Sequence, residues 1–245
     1  MQDRQRFLFQ NDELVAAKVI NDPQNPDAIL YLTGRNPEVC YFCGKSESGM
    51  ARIGRQVDHY SEVDIQSIRA DFSPDRLFRY TLEMSYKADL LNRDRSKIMT
   101  VILKNPSSAD EKRSDSTIRK VETYVWKQFH DVRHLRILNI FAFRATDAIE
   151  VKERLKSLDE LAVTGTDNNT FFKLTLAQTD YVICAWGGPS GIDVTRYASR
   201  VTTVKSLIWE NHAGPAYQVC GRQETREPLH GLMWGYDYEL KPYAI

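Results

Sequence analysis

Four apolar runs separated by helix-like segments limit this chain to a small set of folds. They are KIMTVIL (97–103), LRILNIFAF (135–143), YVICAW (181–186) and VKSLIW (204–209). Each is strand-sized and too continuously apolar to lie half exposed, so each predicts a strand buried on both faces. RYTLEMSY (79–86) predicts a further strand ahead of them. Between the first two runs, Ile118, Val121, Val125 and Phe129 fall on one face of a helix opened by Asp115-Ser116-Thr117, a good capping sequence. A second helix is predicted from about Asp167 to Gln178, and a third after Gly187-Gly188-Pro189-Ser190-Gly191 breaks the YVICAW run. Strands alternating with helices imply a three-layer α/β/α domain with a mostly parallel central sheet. Residues 79–245 carry that pattern. Residues 1–78, with prolines at 23, 26 and 37, read as an N-terminal extension, a lid or added strands.

Composition narrows the function classes. The 245 residues carry 33 Lys/Arg and 33 Asp/Glu, so no global positive field points to nucleic acid, although a locally basic cleft remains compatible. No apolar stretch approaches the roughly twenty residues of a membrane span, and MQDRQRFLFQNDE lacks a secretory signal's apolar run. A cytoplasmic protein is expected. Four scattered cysteines are too few for a disulfide framework, and Cys184 in YVICAW reads as a small buried hydrophobe. Cys40 and Cys43 precede Asp58-His59 in an arrangement like the opening of an HNH nuclease. No second CxxC follows, so a zinc site cannot be assembled, and a reduced pair in a hairpin is the reading; no metal is expected.

In open α/β sheets ligands sit beyond the carboxyl ends of the strands, where loops and helix N-termini converge. NPSSAD after the first run, FRAT after the second and GGPSG after the third are therefore expected to meet at one edge. Asn105 is an uncharged amide that can hold a water without deprotonating it, and Pro106 restricts the residue before it to extended backbone. Ser107 and Ser108 can contact phosphate. Asp110 and Asp115 are candidate bases or cation ligands, although Asp115 and Ser116 also suit a helix cap. Asn139 interrupts an apolar strand and must find hydrogen bonds, in a turn or on a ligand edge. Phe141 offers a stacking face, and Arg144 an ion pair or a phosphate contact. Between Arg93 and Arg136 eleven Lys/Arg face six Asp/Glu, which suits a basic rim around the cleft.

Taken together, RYTLE, IMTVILKNPSSAD, SDSTIRK, NIFAFRATD, DNN and VICAWG resemble the bacterial and phage family called domain of unknown function 1643, over roughly residues 79–232. The usual family run is close to LNPSTAD, then DPTIRR, then NLFAFRATDP, an ND pair and AWG. A strand ending in Asn-Pro, an Asn-bearing second strand and a third ending near Trp-Gly are also similar to the uracil-DNA glycosylase superfamily. That resemblance implies a glycosylase-like α/β/α fold that flips a nucleotide and hydrolyses its N-glycosidic bond. It further implies Asn105 as the water-positioning residue and a late His-Pro loop. Here the aligned stretch is GRQETREPLHGL, with Glu227 where His is expected and His230 shifted, so either Glu227, Arg226 or His230 takes the role of the oxyanion-stabilising histidine or the chemistry differs.

The chemistry is consistent with those residues. Breaking a C1′–N bond builds positive charge on the sugar and negative charge on the departing base, so a held water and donors around the base suffice when preorganised. The expected function is a monofunctional DNA glycosylase acting on a modified or damaged base. By analogy with phage-associated enzymes, that base is a modified pyrimidine of phage DNA and the role is defence. Asn105, Asp110, Asp115, Glu227 and His230 form the candidate catalytic set. Asn139, Phe141 and Trp186 are expected to hold the base. Lys104, Ser107, Ser108, Arg119, Arg144 and Arg226 are expected to grip DNA. No cofactor is called for, and no lysine reads as catalytic, which argues against a lyase step. A hydrolase or transferase acting on a free nucleotide and a non-catalytic DNA-binding module are the alternatives.

Overall fold

A computed structural model describes residues 5–10, 13–19, 29–31, 56–88, 94–106, 109–110, 112–144, 154, 161–190, 192–221 and 225–245. It divides into two compact units, Met1–Ala51 and Arg52–Ile245. In the first, strands β1 (Gln5–Gln10), β2 (Glu13–Val19) and β3 (Ile29–Tyr31) form an antiparallel sheet in the order β1-β2-β3.

The second unit contains the site. Its short strand β4 (Gln56–Val57) pairs with β8 (Ser114–Asp115). Its main sheet uses β5 (Val63–Phe72), β6 (Arg79–Tyr86), β7 (Lys97–Leu103), β9 (Val132–Asn139), β10 (Tyr181–Cys184), β11 (Ala216–Val219) and β12 (Leu240–Pro242). The seven strands run in the order β12-β11-β10-β7-β9-β6-β5. The four strands β11, β10, β7 and β9 are parallel, while β12 on one side and β6 and β5 on the other are antiparallel. The sheet is therefore mixed rather than mostly parallel. RYTLEMSY is a strand, but it reaches β9 from an antiparallel hairpin with β5 instead of through a helical crossover. The segment before Arg79 thus supplies an edge strand of the main sheet.

Helices cover both faces. Helix α1 (Ser116–Gln128) presents Ile118, Val121, Tyr124 and Val125 to Met99, Val101, Leu135 and Ile137. Complete burial of an aliphatic side chain contributes about 1.5–3 kcal/mol, so this stripe is sufficient to dock the helix. The short helix α2 (Leu161–Thr164) precedes α3 (Asn168–Leu176), which packs with α4 (Val194–Asn211) on the opposite face. VKSLIW, expected as a strand, lies inside α4. Tyr197, Val201, Val204, Leu207 and Ile208 are buried at helical spacing, and Trp209 is 79% exposed, as the outward position of a helix requires. The strand expected there is AYQV of β11. None of the described helices is long and apolar enough to cross a membrane.

Candidate functional site

Leu103 of β7 pairs with Asn139 of β9, and Ile102 of β7 pairs with Cys184 of β10, so three parallel strands end level. Their exits stay zipped for one more residue: Ile140 N–H donates to Leu103 O at 2.9 Å and Ala185 N–H to Ile102 O at 2.8 Å. The late segment Glu227–Gly231 crosses this edge. Gly187 N–H donates to Pro228 O at 3.0 Å, and Gly231 N–H to Ala185 O at 3.3 Å. Two glycines make the crossing possible. Gly187 has φ +67°, and a Cβ there would stand 2.9 Å from His230 Cβ. A Cβ on Gly231 would meet Leu103 and Val121 at 3.0 Å. The segment is thus wedged between β7, β10 and the start of α1, which brings the Asn-Pro loop, the Trp-Gly loop and the Glu-Pro-Leu-His loop together.

Asn105 lies two residues beyond the end of β7 and is half-buried beside buried Pro106. Its side-chain amide donates to Pro106 O at 3.3 Å. Lys104, expected to grip phosphate, is only 5% exposed. Its ammonium donates to Gly188 O and to Ser190 Oγ, the latter at 2.8 Å. Burial pushes its amine down to about 8. His230 caps a single 3-10 turn (Gly231–Met233), with Nδ1 accepting from Leu232 N–H at 3.3 Å. That bond assigns the ring proton to Nε2. Burial holds the imidazole down to about 4, with Lys104 acting in the same direction and Asp115 opposing. His230 is therefore a neutral N–H donor at pH 7. Glu227 accepts from Trp186 Nε1 at 3.3 Å, and its charge helps raise Tyr197 and Tyr243, whose main cause is burial.

Asn139, at the end of β9, is 1% exposed. Its Oδ1 accepts from Arg79 at 3.4 Å, while its Nδ2 has no partner among the described residues. The same Arg79 guanidinium donates to Ala109 O at 2.7 Å, which ties the end of β9 to the loop after β7. Beyond β9 the backbone carbonyls lose their ladder partners and are taken up by side chains. Asn168 Nδ2 donates to Asn139 O at 3.1 Å, and Arg200 Nε to Ile140 O at 2.6 Å. Arg79, Asn168 and Arg200 are the positioning residues that sequence reasoning missed. The available signal was an Arg opening a buried strand and an Asn pair ahead of a helix.

Other expectations are placed differently. Asp115 is the buried N-cap of α1, with Oδ1 accepting from Thr117 N–H at 2.7 Å and Ile118 N–H at 2.9 Å, so capping claims that oxygen. Asp110 closes a turn, accepting from the N–H groups of Lys112 and Arg113. Phe141 and Trp186 lie in the core against Tyr197 and Tyr243, so neither ring offers an open stacking face. Arg119 donates to the carbonyls of Asp58 and His59 and lies over Tyr60. Arg144 turns away to Arg76 O and the Phe72 ring. Arg226 is exposed beside Glu227 and stays available to a phosphate. The basic excess is not a continuous rim: Lys97 pairs with Asp180 at the far end of β7, and Arg136 with Glu83. Ser107, Ser108, Cys40 and Cys43 lie outside the described residues. Among the described residues no three His, Cys, Asp or Glu side chains converge on a metal-sized site.

The His230 environment sets a pH dependence. With its pKa lowered from 6.5 to about 4, the unfolded chain binds more protons than the folded one across that interval. Stability is then complete above pH 6.5 and falls as the pH drops towards 4. His134 and His212 are also lowered, chiefly by burial, so the diagnostic is a difference. Urea unfolding of His230→Asn is expected to lose less stability over that interval than the parent protein. Identical slopes in the two would refute this role.

A mixed α/β sheet with a polar site at the carboxyl ends of its parallel strands defines the class of protein. Residues 79–232 match the family described as protein of unknown function DUF1643, and the chain belongs to that family. No curated protein and no solved structure matches the chain.

Proposed function

We propose that the protein is a DNA glycosylase that hydrolyses the N-glycosidic bond of a flipped, modified base. What supports this reading is that three segments meeting at one sheet edge each carry an uncharged polar group: the Asn105 amide, the Asn139 Nδ2 without a partner among the described residues, and the neutral His230 N–H. Hydrolysis through an oxocarbenium-like sugar needs a positioned water and donors towards the departing base, and needs no charged nucleophile. In this reading Asn105 positions the water, Asn139 reads the base edge, and His230 donates to the base as negative charge develops. His230 rather than Glu227 fills the late-loop role, because Glu227 faces the Trp186 indole behind the edge. In this reading the domain is a uracil-DNA-glycosylase-like α/β/α fold, with β12, β6 and β5 extending the parallel centre.

Duplex DNA is favoured over a free nucleotide by the surface beside His230. Leu232 and Met233 are 43% and 62% exposed on the turn that His230 caps. Apolar side chains on a rigid turn next to the site can fill the gap that a flipped nucleotide leaves in the stack. Arg226 on the same segment supplies a phosphate contact. A modified pyrimidine of phage DNA is the proposed target and defence the proposed role.

The test is incubation of the protein with duplexes that each carry one modified base, including uracil and glucosylated hydroxymethylcytosine. Alkaline cleavage then reveals abasic sites. Strand breaks at one modified position after alkali support the reading and name the base. Tight binding without abasic sites would replace it with a binding module. Absence of both, with turnover of free nucleotides, would replace it with a nucleotide hydrolase.

A further inference from the structure

We propose that Lys104 is a nucleophilic amine that forms an imine with the aldehyde carbon of an abasic deoxyribose, giving this site a strand-cleaving lyase step. The inference rests on the glycosylase reading for its substrate but on separate observations for its chemistry.

The first observation is the position. Lys104 follows the last residue of β7 and immediately precedes Asn105, at the carboxyl edge of the sheet, and it is only 5% exposed. The second is the company it keeps. Both hydrogen-bond partners of Nζ, Gly188 O and Ser190 Oγ, are neutral acceptors, and the Tyr197 ring lies 5.8 Å away. The same strand provides an internal comparison. Lys97 at its other end is exposed, bonds Asp180 at 2.9 Å and has its amine raised by that partner. Among the described residues no carboxylate is in the hydrogen-bonding set of Lys104, and burial pushes it down to about 8, where an appreciable fraction is the free amine near neutral pH. A buried amine with a lowered pKa is the ordinary form of a Schiff-base lysine. The third observation is access. Gly188 and Pro189 are half-buried and Ser190 is exposed at φ +52°, so the turn that covers the amine borders solvent, and in this proposal the abasic sugar reaches the amine by displacing it.

The step balances without an oxidant or reductant. The neutral amine adds to C1′ of the ring-opened sugar, and the carbinolamine takes up a proton from solvent and loses water to give a protonated imine. The imine acidifies the C2′ proton, which passes to water, and the C2′–H electron pair forms a C2′–C3′ double bond as the 3′-phosphate leaves. Hydrolysis of the imine returns the amine and an unsaturated aldehyde on the 5′ fragment. This proposal departs from the expectation from sequence that the protein lacks a lyase step.

The test uses the full-length protein and a duplex with a preformed abasic site, so the outcome does not depend on knowing the target base. Sodium borohydride reduces the imine to a stable protein–DNA adduct. The expected result is an adduct whose proteolytic peptide carries the modification on Lys104, and its loss in Lys104→Leu, which removes the amine and keeps a buried side chain. Lys104→Arg keeps the charge and should also form no adduct. Peptide mapping on the parent protein decides the matter even if both variants fold poorly. An adduct on another amine, or none at all while abasic sites still form on a modified duplex, overturns the inference and leaves the glycosylase reading standing. No adduct and no abasic sites on any duplex overturns both.

Discussion

Replacing Asn105 by alanine is expected to lower abasic-site formation by roughly 100- to 1,000-fold, the usual loss when one preorganised hydrogen-bonding group is removed from the reacting centre. Asn105 sits where β7 has just ended and is half-buried, with its side-chain amide donating to the next carbonyl at 3.3 Å. Little of the core depends on it, so the folded state should lose no more than about 1 kcal/mol. The contrast between those two magnitudes is the diagnostic. A large drop in turnover with an almost unchanged denaturation midpoint identifies a group that acts on the reaction. A parallel drop in both identifies a loop that has come apart. If Asn105→Ala instead retains full turnover on the duplex that the parent protein cleaves, the water-positioning role is wrong.

The contrast between Asn105 and its neighbours shows what the sequence could reveal. Strands β6, β7 and β10 and helices α1 and α3 were legible because their patterns are local: a continuous apolar run, or apolar residues every three to four positions behind a capping Asp. The 204–209 segment was misread because a six-residue window of an amphipathic helix can look continuously apolar. The upstream residues Tyr197 and Val201 restore the helical period once included. Strand direction was not legible, since a strand entering from a hairpin and one entering from a crossover have the same side-chain pattern. In the site, the Asn-Pro loop could be read because Pro acts on the residue before it. The partners of Asn139 could not, because Arg79 and Asn168 lie 60 and 29 residues away in the chain and meet it only through the fold. From sequence Lys104 is expected to grip DNA, as a lysine in a loop beside a cleft commonly would. Only packing shows that its amine is turned inward.

The Asp58-His59 pair, which looks like a nuclease opening, gives the largest expected stability effect. His59 Nδ1 and Glu122 Oε1 lie 2.5 Å apart with both side chains fully buried, and Tyr60 N–H donates to the other carboxylate oxygen at 2.8 Å. Asp58 is bound to Arg113 at 2.7 Å. These contacts tie the segment 56–60 onto α1, and β4 pairs there with Ser114–Asp115, the residues that open and cap the helix. The His59 segment is therefore a strap across the helix start rather than a metal-activating centre. Glu122→Ala removes the acceptor from two buried donors and leaves a void beneath the helix. Removing one partner of such a buried pair costs about 3–5 kcal/mol, a large part of the total stability of a domain. Glu122→Gln keeps one acceptor oxygen and should lose less. Urea denaturation checks this: the midpoint should fall sharply in Glu122→Ala, by an intermediate amount in Glu122→Gln, with the slope unchanged. Turnover per folded molecule should survive in both, since neither oxygen reaches Asn105 or His230 through a described hydrogen bond. The opposite pattern, in which His59→Ala or Glu122→Ala leaves the midpoint intact and abolishes metal-dependent nicking of DNA, would restore the nuclease reading. The present geometry argues against it because the carboxylate that would have to bind a metal is already occupied by an imidazole and a backbone N–H.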